Sequence, residues 1–154
     1  MEIIILLALV ALGTGAGIMG ALFGLGGGVI FVPVLMLAFG MAPAEAAAVS
    51  LVGIVAGSVG ASSVFVEKGL ANVRLGLLLE VTTTIGAIAG AITYFFSGQL
   101  DLPFAGAVAI GAFIGAFAGT YLARKMNTKH LRRYFSVVLF FMAALVILRV
   151  GGIL

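Results

Sequence analysis

Long apolar runs, separated by short polar or glycine-rich stretches, make up almost all of this chain. Six runs stand out, at about 3–22, 29–40, 43–66, 73–96, 102–123 and 134–150. A helix that crosses a bilayer uses about 20 apolar residues, so five of the six are long enough to cross. The second, Val29 to Gly40, reaches only about 18 Å at 1.5 Å per residue, against a hydrocarbon core of about 30 Å. It reads as a half-helix. Gly24-Leu25-Gly26-Gly27-Gly28 stands just before it and Pro33 one turn further on, so the chain is expected to be broken here at membrane depth. Such backbone is tolerated only where protein or a water-filled cavity covers it. The pattern therefore predicts an all-α, polytopic membrane helix bundle with a broken, re-entrant second helix, and residues 1–154 read as a single transmembrane domain.

Composition sharpens this picture by exclusion. Of 154 residues, 64% are hydrophobic and 8% charged, whereas soluble domains carry roughly 25% charged residues. Mean hydropathy is +1.37. A soluble enzyme, a nucleic-acid binder and a disordered linker are set aside, and the lipid bilayer is the expected partner. With no Cys, and with His130 as the single His inside a basic loop, neither thiolate nor imidazole is available in a span, so no metal and no cofactor is expected. An intramembrane enzyme lacks its parts, since no paired carboxylates replace them. The first 22 residues begin Met1-Glu2, with no Lys or Arg before Lys68. A signal peptide starts with positive charge, so this run is expected to be a retained helix.

The basic residues set an orientation. Arg124, Lys125, Lys129, Arg132 and Arg133 fall in ten residues, which places the loop 124–133 in the cytoplasm. One span back, Ser97 to Pro103 holds no basic residue and is external; one more span back, Lys68 and Arg74 make 67–74 internal. Seven of the eight basic residues then lie inside, with Arg149 outside and both termini external. A cell (plasma or inner) membrane is the expected location.

Internal likeness appears at an offset of 29 residues. Gly69-Leu70-Ala71-Asn72-Val73 aligns with Gly98-Gln99-Leu100-Asp101-Leu102, and Ile85 to Gly90 aligns with Ile114 to Gly119. Consecutive spans run in opposite directions, so this reads as a trace of an inverted repeat, the pattern of many transporters. Gly/Ala-rich helices also resemble one another by composition alone. Glycines recur four apart, at 13 and 17, 20 and 24, 53 and 57, 86 and 90, and 111, 115 and 119. Such stripes let neighbouring backbones approach closely.

Gly24–Gly28 holds more glycine than packing needs, and a half-helix follows it directly. Main-chain N–H groups that point into a cavity, backed by the positive end of a helix dipole, form an anion site without any Lys or Arg. A tight, substrate-free turn is the alternative, and the residues alone leave both open. Few other polar groups stand in the spans. Glu80, about two turns into the fourth run, is a candidate for proton coupling by its depth, or an interfacial carboxylate that pairs with Arg74. Ser58, Ser62 and Ser63 are expected to bond back to their own helix, and Glu45 to complement the helix dipole.

The residues also resemble a known family. Gly24-Leu25-Gly26-Gly27-Gly28, Phe31-Val32-Pro33-Val34-Leu35, Pro43, Ala47 and Ser50-Leu51 look like the signature of the TauE/SafE sulfite exporter family. Lys68 to Arg74 resembles that family's inter-helix loop, and Arg132-Arg133-Tyr134-Phe135 its closing helix. The resemblance implies a permease for a small sulfur-containing anion (sulfite, thiosulfate or an organosulfonate), with Gly24, Gly26, Gly27, Gly28 and Ser50 as substrate-binding residues. The family pattern carries two copies of the glycine-rich loop, and this sequence carries one. A non-transporting subunit, active only in an assembly, is the alternative reading. Cover for the single loop, together with the stripe at 111, 115 and 119, points to a homo-oligomer, most simply a two-fold dimer with its axis along the membrane normal.

Overall fold

The computed structural model of the chain describes residues 2–23, 27–67, 73–123, 136–137 and 140–144. Its elements are α1 (Glu2–Phe23), α2 (Gly28–Ala38), α3 (Pro43–Glu67), α4 (Val73–Phe96) and α5 (Leu102–Ala123). Residues 136–137 and 140–144 of the sixth run are helical as well, and no strand occurs among the described residues. The protein is an all-helical membrane bundle. Ile3–Leu22, Pro43–Ser62 and Leu102–Leu122 are each long and apolar enough to cross a membrane, while Gly28–Ala38 and Thr82–Phe96 are shorter apolar helices.

Helix ends follow local chemistry. Pro43, whose missing N–H costs nothing in a first turn, opens α3, and the Ala42 N–H donates to the Glu45 carboxylate at 3.0 Å. That is the reach-back half of a capping box. Asp101 starts α5 in a similar way by accepting the Phe104 N–H at 3.2 Å. After α2, Gly40 adopts φ +67, a left-handed conformation open to glycine. The turn lets the Met41 N–H donate to the Leu35 carbonyl at 3.3 Å.

The core is a bundle of α1, α3 and α5 with α2 tucked against it. A Cβ placed at Gly111, Gly115 or Gly119 would run into the backbone of Val10, Thr14 or Ile18 respectively. Both numbers rise together, so α1 and α5 are parallel and touch main chain to main chain over two turns. Gly53 lies against Val108, and Gly60 against the Phe113 carbonyl, which makes α3 parallel to α5 in turn. Leu9, Phe31, Leu35, Val49, Val108 and Ala112 fill the space between. The stripe at 111, 115 and 119 is therefore occupied by α1 of the same chain. As support for a face between copies it is corrected, because no room remains beside it.

Hydroxyls inside the helices satisfy themselves locally. Thr14 donates to the Val10 carbonyl, Ser62 to Ser58 and Thr120 to Ala116, each at 2.8 Å. Among the described residues no buried side-chain nitrogen or oxygen lacks a partner, as a low-dielectric surrounding demands. Ile85, Ile88, Ile92, Phe95 and Phe96 of α4, and Ile110, Ile114, Phe117 and Leu122 of α5, are exposed. In water such a surface would drive aggregation; in a bilayer it faces acyl chains.

Candidate functional site

Two neighbouring helices act as rulers for the depth at which α2 begins. Gly28 sits beside Ile54, so closely that an added Cβ would come within 2.6 Å of its Cδ1. Ile54 lies about 16 Å from the start of α3 and about 20 Å from its end, at 1.5 Å per residue. Gly27 abuts the Ala16 carbonyl oxygen, 2.9 Å from an added Cβ, and Ala16 lies about 10 Å before the end of α1. The N-terminus of α2 is thus held well inside the bundle, near its mid-depth. From there 11 residues run back about 16 Å toward the start of α3.

Only glycine suits position 27. Its φ of +82 is costly for any residue with a Cβ, and the Phe31 ring approaches to 2.9 Å on the side where that Cβ would stand. The Gly27 carbonyl accepts the Ile30 and Phe31 N–H groups at 2.9 and 3.1 Å, so the first turn is well formed. Among the described residues no side chain caps it. The partial positive charge of the α2 N-terminus is left to the surroundings, and among the described neighbours these are the Phe31 ring, Ile54 and the Ala16 backbone.

Ser50 is buried on the face of α3 that also carries Ala46, Val49 and Gly53. It precedes Ile54 by one turn, about 6 Å along the axis, so it shares the side of α3 that meets α2. Its hydroxyl donates to the Ala47 carbonyl at 2.8 Å. The proton is engaged within the helix, leaving the oxygen as acceptor unless χ1 rotates. Gly24, Gly26 and the Glu80 side chain lie outside the described residues. Glu45 stands about 13 Å before Ile54 along α3 and holds the helix start, as its place in the first turn implies. Ser62 bonds back to its own helix as expected. Among the described residues no group of three or more His, Cys, Asp or Glu gathers to hold a metal ion. Ile54 and Ala16, which wall the start of α2 together with Phe31, carry no signal in the sequence beyond being apolar.

Comparison with known proteins agrees with this architecture. The family model described as Sulfite exporter TauE/SafE matches residues 9–95 and again 87–146. The chain is 27% identical over 130 residues to the Probable membrane transporter protein YunE of Bacillus subtilis (strain 168), an alignment that covers 84% of this chain and 37% of that protein. The chain thus spans little more than a third of that relative's length. No solved structure matches it. The glycine-rich break, the half-helix held at mid-depth and a family match over most of the sequence agree: the chain belongs to the TauE/SafE sulfite exporter family, a family of membrane transporters.

Proposed function

We propose that residues 1–154 form one transmembrane unit of a permease for a small sulfur oxyanion or sulfonate, bound by main-chain N–H groups of Gly26, Gly27 and Gly28 with Gly24 and Ser50 alongside. The observation that carries this is the placement of the α2 N-terminus between α1 and α3 at mid-depth, with no side-chain cap among the described residues. A fixed cation there would be costly, whereas a helix dipole and glycine N–H groups bring positive potential at no charge-burial cost. Nothing in this chemistry requires catalysis or a cofactor. A thermal-shift panel of sulfite, thiosulfate, sulfate and taurine on the detergent-solubilised protein tests it, because a ligand that binds only the folded state raises Tm with concentration. No shift from any of the four would remove the proposal.

A second reading has one observation in its favour. Residues 1–154 hold one glycine-rich loop where the family pattern carries two, which suits a unit that binds anion but moves it only within a larger assembly. A homodimer is the simplest such assembly, and its contact must use faces other than the filled stripe of α5. Mass measurement in nanodiscs is expected to give two copies; a monomer that still binds anion would remove the dimer.

Sidedness follows from the Lys/Arg distribution. Parallel α1, α3 and α5 end together, and the segments that follow α3 and α5 in sequence carry seven of the eight basic residues. We place that end in the cytoplasm of a cell membrane, with both termini external. The chain has no Cys, so Lys129→Cys gives a single reporter: an impermeant thiol reagent added outside intact cells is expected to leave it unlabelled. Labelling from outside would invert the orientation.

A further inference from the structure

At the end of the bundle where α3 and α5 begin, Glu45, Gln99 and Asp101 rim a cavity of about 340 Å³ whose floor is Met41, Val49 and Phe104. Each carboxylate uses an oxygen to hold a helix start, Glu45 on the Ala42 N–H and Asp101 on the Phe104 N–H. Neither bond brings in a positive side chain. The half-charges of the α3 and α5 N-termini do not cancel the acids either, because α2 and α4 bring their negative C-terminal ends to the same two loops. Seven of the eight basic residues follow the opposite ends of α3 and α5 in sequence, which leaves Arg149 as the one basic side chain expected on this side, against the two carboxylates at the cavity. Charge is therefore divided along the bundle, and the α2 N-terminus stands between the two ends.

We propose that this cavity is a vestibule that disfavours anions against cations and neutral molecules, so that an oxyanion loads onto the α2 N-terminus from the opposite, basic end and, once released past the vestibule, returns poorly. The anion in this statement rests on the function proposed above; the sign of the vestibule does not. Two carboxylates about 7 Å from an ion in water each shift its energy by roughly 0.6 kcal/mol, a factor of about 2.7 in local concentration. The two act together and act oppositely on anions and cations. After allowance for a Debye length of about 10 Å, the net preference for a cation over an anion is roughly tenfold.

Gln99→Cys, on the exposed rim, supplies a single thiol with which to read this preference. Its modification rates by an anionic sulfonate-bearing methanethiosulfonate and by the trimethylammonium analogue are compared at about 0.1 M ionic strength, each relative to a small free thiol. The cation is expected to be favoured roughly tenfold. The preference should fade toward the free-thiol ratio in the added background Glu45→Gln/Asp101→Asn, which keeps both caps, and also at high salt. An equal ratio with and without the two carboxylates overturns the vestibule. In the same variants sulfite is expected to raise Tm as in the parent, since Ile54 and Gly28 lie about 13 Å further along α3. Loss of that shift only on neutralising the acids would put the anion in this cavity and overturn the proposal. Absence of the shift in parent and variant alike removes the anion reading of α2, while the reagent ratio still decides the vestibule.

Discussion

Replacing Gly115 with Leu is expected to cost about 3 kcal/mol or more and to separate α1 from α5. Overpacking a core usually costs 1–3 kcal/mol, because side chains can shift to absorb it. Here the obstacle is the Thr14 main chain, which cannot move without dragging α1. The same clash repeats one turn away at Gly111 and Gly119, so slippage of the pair brings no relief. The contrast is Gly106→Ala on the same helix, where nothing lies within 4 Å of the added Cβ. That change should be neutral or gain up to about 1 kcal/mol of helix propensity. Thermal unfolding of both variants in detergent checks the pair; equal Tm values would mean that α1 and α5 do not pack as described.

Replacing Gly27 with Val is expected to abolish anion-dependent stabilisation. A β-branched residue at φ +82 is strained by more than about 1 kcal/mol, and its Cβ meets the Ala16 carbonyl and the Phe31 ring. Because this variant can fail by unfolding, Gly28→Ala is the companion. There the Cβ meets only the end of the Ile54 side chain, which can swing aside, so the fold should survive. Its intrusion beside the first free turn of α2 should weaken sulfite binding roughly tenfold, about the worth of one charge-assisted hydrogen bond. A Gly28→Ala protein that folds and binds sulfite as tightly as the parent would move the site away from the helix start.

The elements were legible because membrane helices are written as apolar runs with glycine, proline or charge at the breaks. The runs 43–66, 73–96 and 102–123 became Pro43–Glu67, Val73–Phe96 and Leu102–Ala123, and the short run 29–40 became the half-helix Gly28–Ala38. Partnerships were not legible. A helix that is apolar all round, such as α5, gives no hydrophobic face from which to read its neighbour. The stripe of Gly111, Gly115 and Gly119 marked where a backbone would come close, but not whether that backbone belonged to α1 or to another copy. Two glycines of like spacing met different fates: Gly86 has open space beside it, while Gly90 takes the Leu51 side chain. At the candidate site, the glycines announced a break and Pro33 a short helix, yet the depth of that break emerged only from Ile54 and Ala16. Ser50 was singled out as a substrate-binding residue, and the sequence did not show that its hydroxyl donates to Ala47, the choice open to any serine within reach of a carbonyl one turn back.

The central claim is that this chain carries a small sulfur anion across the membrane through the uncapped start of α2. The most direct measurement is sulfite flux into sealed liposomes that contain only this protein, with protein-free liposomes and the Gly28→Ala protein alongside. The account predicts saturable flux above the empty vesicles that falls in the variant. Flux no higher than in empty liposomes, from protein that remains folded and still shows a sulfite-dependent Tm shift, would contradict it and leave the chain as a binding subunit.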